Sequence, residues 1–147
     1  MSFFTWLENQ RKNLQNEIVK FKNKEFLDAV VAGCALVAAA DGHIDASEKR
    51  KMEGFIGRSP ELQVFDMDQV MKKFNTIADN FEFSEAIAKR QALNTIAVIK
   101  NNPQAAKLLI TVCCSIGAAD GNFDEDEKAM VREMCRELAL NPSDFEL

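Results

Sequence analysis

The amino-acid sequence predicts an all-α, single-domain bundle of about seven helices with an internal pseudo-two-fold repeat. The 147 residues, the length of one domain, include no Tyr and are rich in Ala, Leu, Glu, Lys and other helix formers. Apolar residues recur at helical rather than strand spacing. In addition, residues 39–49 and 118–128 carry the same acidic pattern at an offset of 79 residues.

Helical periodicity, N-cap residues and helix-breaking dipeptides place seven helices along the chain. The first is amphipathic, and the second is apolar almost all round, so we expect the second at the centre of the bundle. The third carries Lys49, Arg50 and Lys51 on its outward face. A short break at residues 81–83 separates the fourth helix from the fifth. The predicted helices span residues 3–24, 25–40, 47–57, 67–80, 84–100, 103–119 and 125–139.

The offset of 79 residues also relates positions outside the two acidic stretches. Cys34 corresponds to Cys113, and Leu14 corresponds to Leu93. We therefore predict that helices one to three are duplicated as helices five to seven, with helix four as the connector. Two such units are too few for a solenoid.

Charge and cysteine usage exclude several classes of protein. The net charge is −5 and the pI is about 5.0, which argues against nucleic-acid binding as a main function. The cysteines form no C-x-x-C pair, so neither a zinc site nor a thioredoxin-like motif is indicated. Because they lie in apolar helical patterns, we expect buried thiols in a reducing cytoplasm. The four are Cys34, Cys113, Cys114 and Cys135.

The chain carries no recognisable targeting or membrane-spanning segment. Its first residues lack the positive start and long apolar run of a secretory signal. The wholly apolar residues 29–40 are shorter than the roughly 20 residues that a transmembrane helix needs. We therefore expect a cytoplasmic protein.

Residues 1–24 are the basic part of this acidic chain and allow two interpretations. One is a helix packed on the core with a solvated basic face. The other is peripheral contact with the inner face of the membrane, with Phe3, Phe4 and Trp6 inserting beside the lysines.

The acidic stretch has a structural interpretation at most of its positions. A Gly just past an apolar helix is a common left-handed terminator. The Asp three residues later stands where an N-cap is wanted, and the Glu that follows it completes a capping box. These residues are Gly42, Asp45 and Glu48 in the first copy, and Gly121, Asp124 and Glu127 in the second.

One residue of each copy, Asp41 and Asp120, does not fit that interpretation as easily. Both stand at the C-terminal end of an apolar helix, where the macrodipole disfavours a carboxylate. Asp-Gly is also a good turn pair. Even so, a carboxylate placed against the local electrostatics twice, in register, indicates a function.

Clustered carboxylates suggest a site for a hard divalent cation, namely Ca²⁺, Mg²⁺ or Mn²⁺. The spacing matches the second half of an EF-hand loop, but EF-hand positions 1 and 3 fall on Val37 and Ala39 in the first copy, so this is no EF-hand. Each corner could hold its own ion, or the two could share ions across the two-fold axis. His43 has Asn122 as its counterpart and is predicted to be a solvated loop residue. The candidate ligands are Asp41, Asp45, Glu48, Asp120, Asp124 and Glu127.

No catalytic constellation or phosphate-binding glycine loop stands out. Three functional hypotheses follow. The first is a divalent-cation-responsive adaptor, and the second is a metal-independent interaction module with an acidic surface. The third is an enzyme that acts through its thiols.

The paired A-A-D-G-x-[IF]-D-x-x-E-K motifs resemble those of the TerB family of tellurite-resistance proteins. The resemblance covers nearly the whole chain, and all six acidic positions match. It implies an all-helical, cytoplasmic, non-enzymatic protein associated with resistance to tellurite. It also implies protein partners, among them a TerC-like membrane protein and TerD-like proteins.

Overall fold

The chain is all helical in the computed structural model, which describes residues 2–42 and 44–147. Within them lie eight α-helices and two short 3-10 helices, and no strand. The predicted fold class is thus confirmed. The α-helices are α1 (Phe3–Arg11), α2 (Leu14–Val19), α3 (Lys24–Ala38), α4 (Ala46–Arg58), α5 (Met67–Phe83), α6 (Glu85–Ala97), α7 (Pro103–Gly117) and α8 (Glu125–Glu137), and the 3-10 helices are Pro60–Leu62 and Pro142–Phe145.

Helix α3 forms the centre of the bundle, as its apolar sequence predicts. Every residue from Phe26 to Val37 is buried except Asp28. Its main neighbours are α5, α6 and α7. Lys73 of α5 and Lys24 donate to the two oxygens of Asp28, so this carboxylate at the edge of the core is neutralised.

Helices α3 and α7 run side by side in the same sense. A Cβ atom added to Gly33 would collide with Cys113 Sγ, and one added to Gly117 would lie 2.9 Å from Val37 Cγ1. The second of these contacts lies nearer the C-terminal end of both helices than the first. The helices are therefore parallel, and the C-terminal ends of α3 and α7 are neighbours. The two acidic loops, which follow these ends, therefore leave the core on the same side.

The predicted first helix, residues 3–24, is divided in two. Helix α1 packs on α7, where the Arg11 guanidinium donates to Ser115 Oγ at 3.0 Å and to Ser115 O at 2.9 Å. Helix α2 packs mainly on the 3-10 helix Pro60–Leu62. The chain turns at residues 12 and 13, between these two helices.

The predicted break at residues 81–83 is also wrong. Phe81 is buried, so the last turn of the helix packs on the core, and α5 continues to Phe83. Ser84 then caps α6, with its Oγ accepting from the Ile87 N–H. The fifth predicted helix thus begins where expected.

Part of the internal correspondence is visible in the helix boundaries. The bounds of α3 and α4 coincide with those of α7 and α8 at the offset of 79 residues. The correspondence does not extend to the N-terminal segment, where two helices lie in place of one. The wider two-fold repeat of helices one to three with five to seven is not confirmed and stays a prediction.

Candidate functional site

Each acidic stretch forms a helix–loop–helix corner whose turn is made by its glycine. Gly42 has φ of 114° and Gly121 has φ of 82°, a conformation that other residues rarely adopt. The glycines do not cap the helices as predicted, because α3 ends at Ala38 and α7 ends at Gly117, each followed by an alanine C-cap with negative φ. His43 lies outside the described residues, and its role as a solvated loop residue stays a prediction.

Both predicted capping boxes are present. The Glu48 N–H donates to Asp45 Oδ1 at 2.7 Å, and the Asp45 N–H donates to Glu48 Oε2 at 3.2 Å. In the second corner, the Glu127 N–H donates to Asp124 Oδ1 at 2.8 Å, and the Asp124 N–H donates to Glu127 Oε1 at 3.1 Å. The second box uses one oxygen of each carboxylate, so Asp124 Oδ2 and Glu127 Oε2 stay available to another partner.

Loss of either cap is expected to lower the free energy of unfolding by about 1 kcal/mol. Asp45→Ala and Asp124→Ala, each measured by urea denaturation, test this. Asp126→Ala is the matched control, because Asp126 lies in the first turn of α8 without making the cap. A cost as large for Asp126→Ala as for Asp124→Ala would contradict the capping role.

The two corners meet at one cleft of about 170 Å³. Four of the six predicted acids line it, and its apolar wall comes from the ends of α3 and α7 and from α4. Asp45 is exposed and does not line the cleft, whereas Asp120 lies at its edge, bonded to a residue that does. The acidic residues that line the cleft are Asp41, Glu48, Asp124, Asp126 and Glu127.

Lys51 of α4 also lines the cleft, and it bridges the two halves of the acidic surface. Its Nζ lies 2.8 Å from Asp120 Oδ2. The other oxygen of Asp120, Oδ1, accepts from the Asn122 N–H at 3.0 Å. Asp120 therefore has a structural role, because it lies in the loop just past α7 and an ammonium and an N–H neutralise its carboxylate.

The charges of the second corner are coupled. Burial favours the neutral acid, but the hydrogen bonds from Lys51 and the Asn122 N–H hold the pKa of Asp120 below its usual value. The Asp120 hydrogen bond, with the nearby Glu127 and Asp124 charges, raises the pKa of Lys51. Burial, followed by repulsion from Asp124 and Asp120, raises the pKa of Glu127 to about 7, although the Asp124 N–H and Lys51 oppose this. The corner thus concentrates negative charge.

Sequence reasoning missed three contributors to this surface. It placed Lys51 on an outward face, and the side chain is indeed 58% exposed, yet its ammonium turns to Asp120. Its counterpart at the offset of 79 residues is Met130, which is buried, so the repeat did not indicate an ion pair at Lys51. Asp126 lines the cleft, and the Glu85 carboxylate lies 3.5 Å from the Cβ position of Gly42.

The carboxylates do not form a preassembled metal centre. Within residues 2–42 and 44–147, no three or more His, Cys, Asp or Glu side chains are grouped in a metal-holding arrangement. The donor set still has the chemistry of a hard-cation site, since carboxylate oxygens from both corners face one cleft.

The cysteines are free and buried, as predicted. Cys113 and Cys114 are both enclosed, although they are successive residues, because every residue of α7 from Leu108 onward is buried. A hydrogen bond with Cys34, together with burial, raises the pKa of Cys113, and burial raises the pKa of Cys135 to about 12. The thiolate is the reactive form, so this environment disfavours thiol chemistry.

Two of the three N-terminal aromatic rings are used inside the fold. Phe3 is buried and stacks on Phe123, with ring centroids 5.0 Å apart, and Trp6 meets Phe145 edge-on at 5.7 Å. Membrane contact through residues 1–24 would therefore depend on Phe4, which is 41% exposed, and on the lysines. No described helix has the length and apolar character to span a bilayer.

The fold and the site define an all-helical protein in which two acidic helix–loop–helix corners meet at one cleft. This chain belongs to the TerB family, since the family model described as Tellurite resistance protein TerB matches residues 27–147. A tellurium resistance protein TerB from Alcaligenes sp is 37% identical over 116 residues, which cover 76% of this chain and 95% of that protein. No solved structure matches the chain significantly. TerB is not known as an enzyme family.

Proposed function

We propose that this protein serves tellurite resistance and the stress response as a non-enzymatic, cytoplasmic adaptor whose acidic cleft binds a divalent cation. Ca²⁺, Mg²⁺ and Mn²⁺ are the candidates, because only oxygen ligands are offered. The observation that carries the proposal is that both acidic corners open on one cleft, although 79 residues separate them in sequence.

The helix caps and the proposed cation site are chemically compatible. Asp124 and Glu127 each use one carboxylate oxygen in the capping box. Their second oxygens could therefore bind a cation without the loss of the N-terminal turn of α8. Asp41 and Glu48 would supply the first corner's share of the negative charge.

In the proposed role, the cation state of the cleft adjusts docking to other resistance proteins. The partners inferred for the family are a TerC-like membrane protein and TerD-like proteins. A cation that links the α3–α4 corner to the α7–α8 corner would change the charge and the rigidity of one surface. Both properties influence association with a charged partner.

Calorimetric titration of chelator-treated protein with Mg²⁺, Ca²⁺ and Mn²⁺ tests the proposal. We expect saturable binding of at least one ion and a rise in melting temperature with ion concentration, because a ligand of the native state stabilises it. Absence of both effects at millimolar ion would refute cation binding.

A metal-independent interaction module is the second candidate, and one observation favours it. Capping boxes and the Lys51 ion pair already give Asp45, Asp120 and Asp124 structural partners. Under this alternative, the Asp41→Asn and Asp120→Asn double variant would lose capture of the TerC-like protein, and a chelator would have no effect on wild-type capture. A chelator-sensitive complex would instead favour the cation-responsive adaptor.

A further inference from the structure

Lys51 holds the one oxygen of Asp120 that the backbone leaves available. Asp120 Oδ1 accepts from the Asn122 N–H, and Asp120 Oδ2 accepts from Lys51 Nζ at 2.8 Å. Any other cation that binds Asp120 through Oδ2 must therefore meet or replace this ammonium.

The ammonium also lies in the field of the neighbouring acids. A lysine side chain is charged at neutral pH, and the Lys51 Nζ lies 2.8 Å from Asp120 Oδ2. Lys51 is the only cation among the described side chains that line the cleft, and five carboxylates line the same cleft. The Lys51 ammonium is therefore a counter-ion that the protein itself supplies.

Lys49 provides a comparison within the same helix. It pairs with Asp79 at 3.3 Å, and it does not line the cleft. Two lysines separated by a single residue thus make one ion pair inside the acidic site and one outside it. The difference offers a matched control for charge removal on α4.

We propose that Lys51 is a built-in competitor for the divalent cation, and that its ammonium leaves Asp120 Oδ2 when an ion binds in the cleft that the two corners share. This inference rests on the proposed function of the cleft. Exchange of the ammonium for an ion would keep affinity low.

Removal of the competitor is expected to strengthen cation binding. Lys51→Gln should bind Mg²⁺ or Ca²⁺ about tenfold more tightly than wild type, given the repulsion between an ammonium and a divalent ion a few ångströms apart in high dielectric. Lys49→Gln, with the same change in net charge, should match wild type. Lys51→Arg retains the charge and should restore affinity close to the wild-type value.

Lysine side-chain NMR provides a direct readout that does not depend on affinity. The Lys51 ¹³Cε resonance, assigned by its absence in Lys51→Gln, should move when Mg²⁺ is added, while that of Lys49 should not. Lys51 is largely exposed, so we expect its variants to fold.

The outcomes separate the two proposals. Tighter binding by Lys51→Gln alone, with movement of the Lys51 resonance, supports the competitor role. Equal affinities in all variants, or a Lys51 resonance that does not move, would overturn that role and leave the cation site standing. If neither wild type nor Lys51→Gln binds an ion, the proposed function itself is refuted, and the competitor role with it.

Discussion

Replacement of Glu127 by Gln is expected to weaken divalent-cation binding about 30-fold. Removal of one unit charge near a divalent ion in high dielectric costs about 2 kcal/mol, which corresponds to that factor. Gln is also accepted at this position of a capping box, so the start of α8 should be retained. The measurement is calorimetric titration of the variant beside wild type.

Glu82→Gln is the matched control for this experiment. Glu82 is exposed near the end of α5 and does not line the cleft, so its replacement removes a carboxylate outside the proposed site. We expect its cation affinity to equal that of wild type. Equal weakening by both variants would show that only the overall charge matters, which would argue against a site at Glu127.

The same variant has a predicted effect on the pH dependence of stability. Burial and the adjacent Asp124 and Asp120 raise the pKa of Glu127 from 4.5 to about 7. Between these values the folded state keeps a proton that the unfolded state releases, so the free energy of unfolding falls as pH rises. Glu127→Gln should be flatter than wild type from pH 4.5 to 7. An unchanged profile would contradict the raised pKa.

Gly33→Ala is expected to destabilise the protein by about 2 kcal/mol, as overpacking of a tight core does. The added methyl would collide with Cys113 Sγ and lie 3.1 Å from Met134 Cε. Since these neighbours belong to α7 and α8, relief of the collision would push α3 away from the helices that bring the two corners together. Urea denaturation measures the loss.

Gly54→Ala is the control for Gly33→Ala. Gly54 lies in α4, and a methyl there would meet only the flexible Arg58 guanidinium, at 3.3 Å. Replacement of a helical glycine by Ala should then stabilise by about 0.5–1 kcal/mol. Stabilisation by both variants would show that the α3–α7 contact tolerates the extra volume.

Much of each corner could be predicted from the sequence because its causes are local. A glycine with positive φ turns the loop, and an Asp with a Glu three residues later begins the next helix. Both rules depend on neighbours within a few residues of one another. For the same reason, Asp45 and Glu48 form the capping box expected of them, whereas Gly42 turns the loop and does not end α3.

What the sequence did not reveal depends on contacts between distant elements. Arg11, the last residue of α1, donates to Ser115, which is 104 residues away. The ion pair of Lys51 with Asp120 requires that α4 lie beside the α7–α8 corner. This pair also gives Asp120 a structural role, so the cleft shared by the two corners supports cation binding more strongly than the position of Asp120 does.

We propose that the two acidic corners form one cation-binding cleft. Titration of ¹⁵N-labelled protein with Mg²⁺ and Ca²⁺, followed through backbone amide shifts, tests whether they bind as a single site. We predict that amides in residues 39–49 and 118–128 move together and fit a single dissociation constant. Amides that stay fixed at millimolar ion, or two corners that titrate with different constants, would contradict the claim.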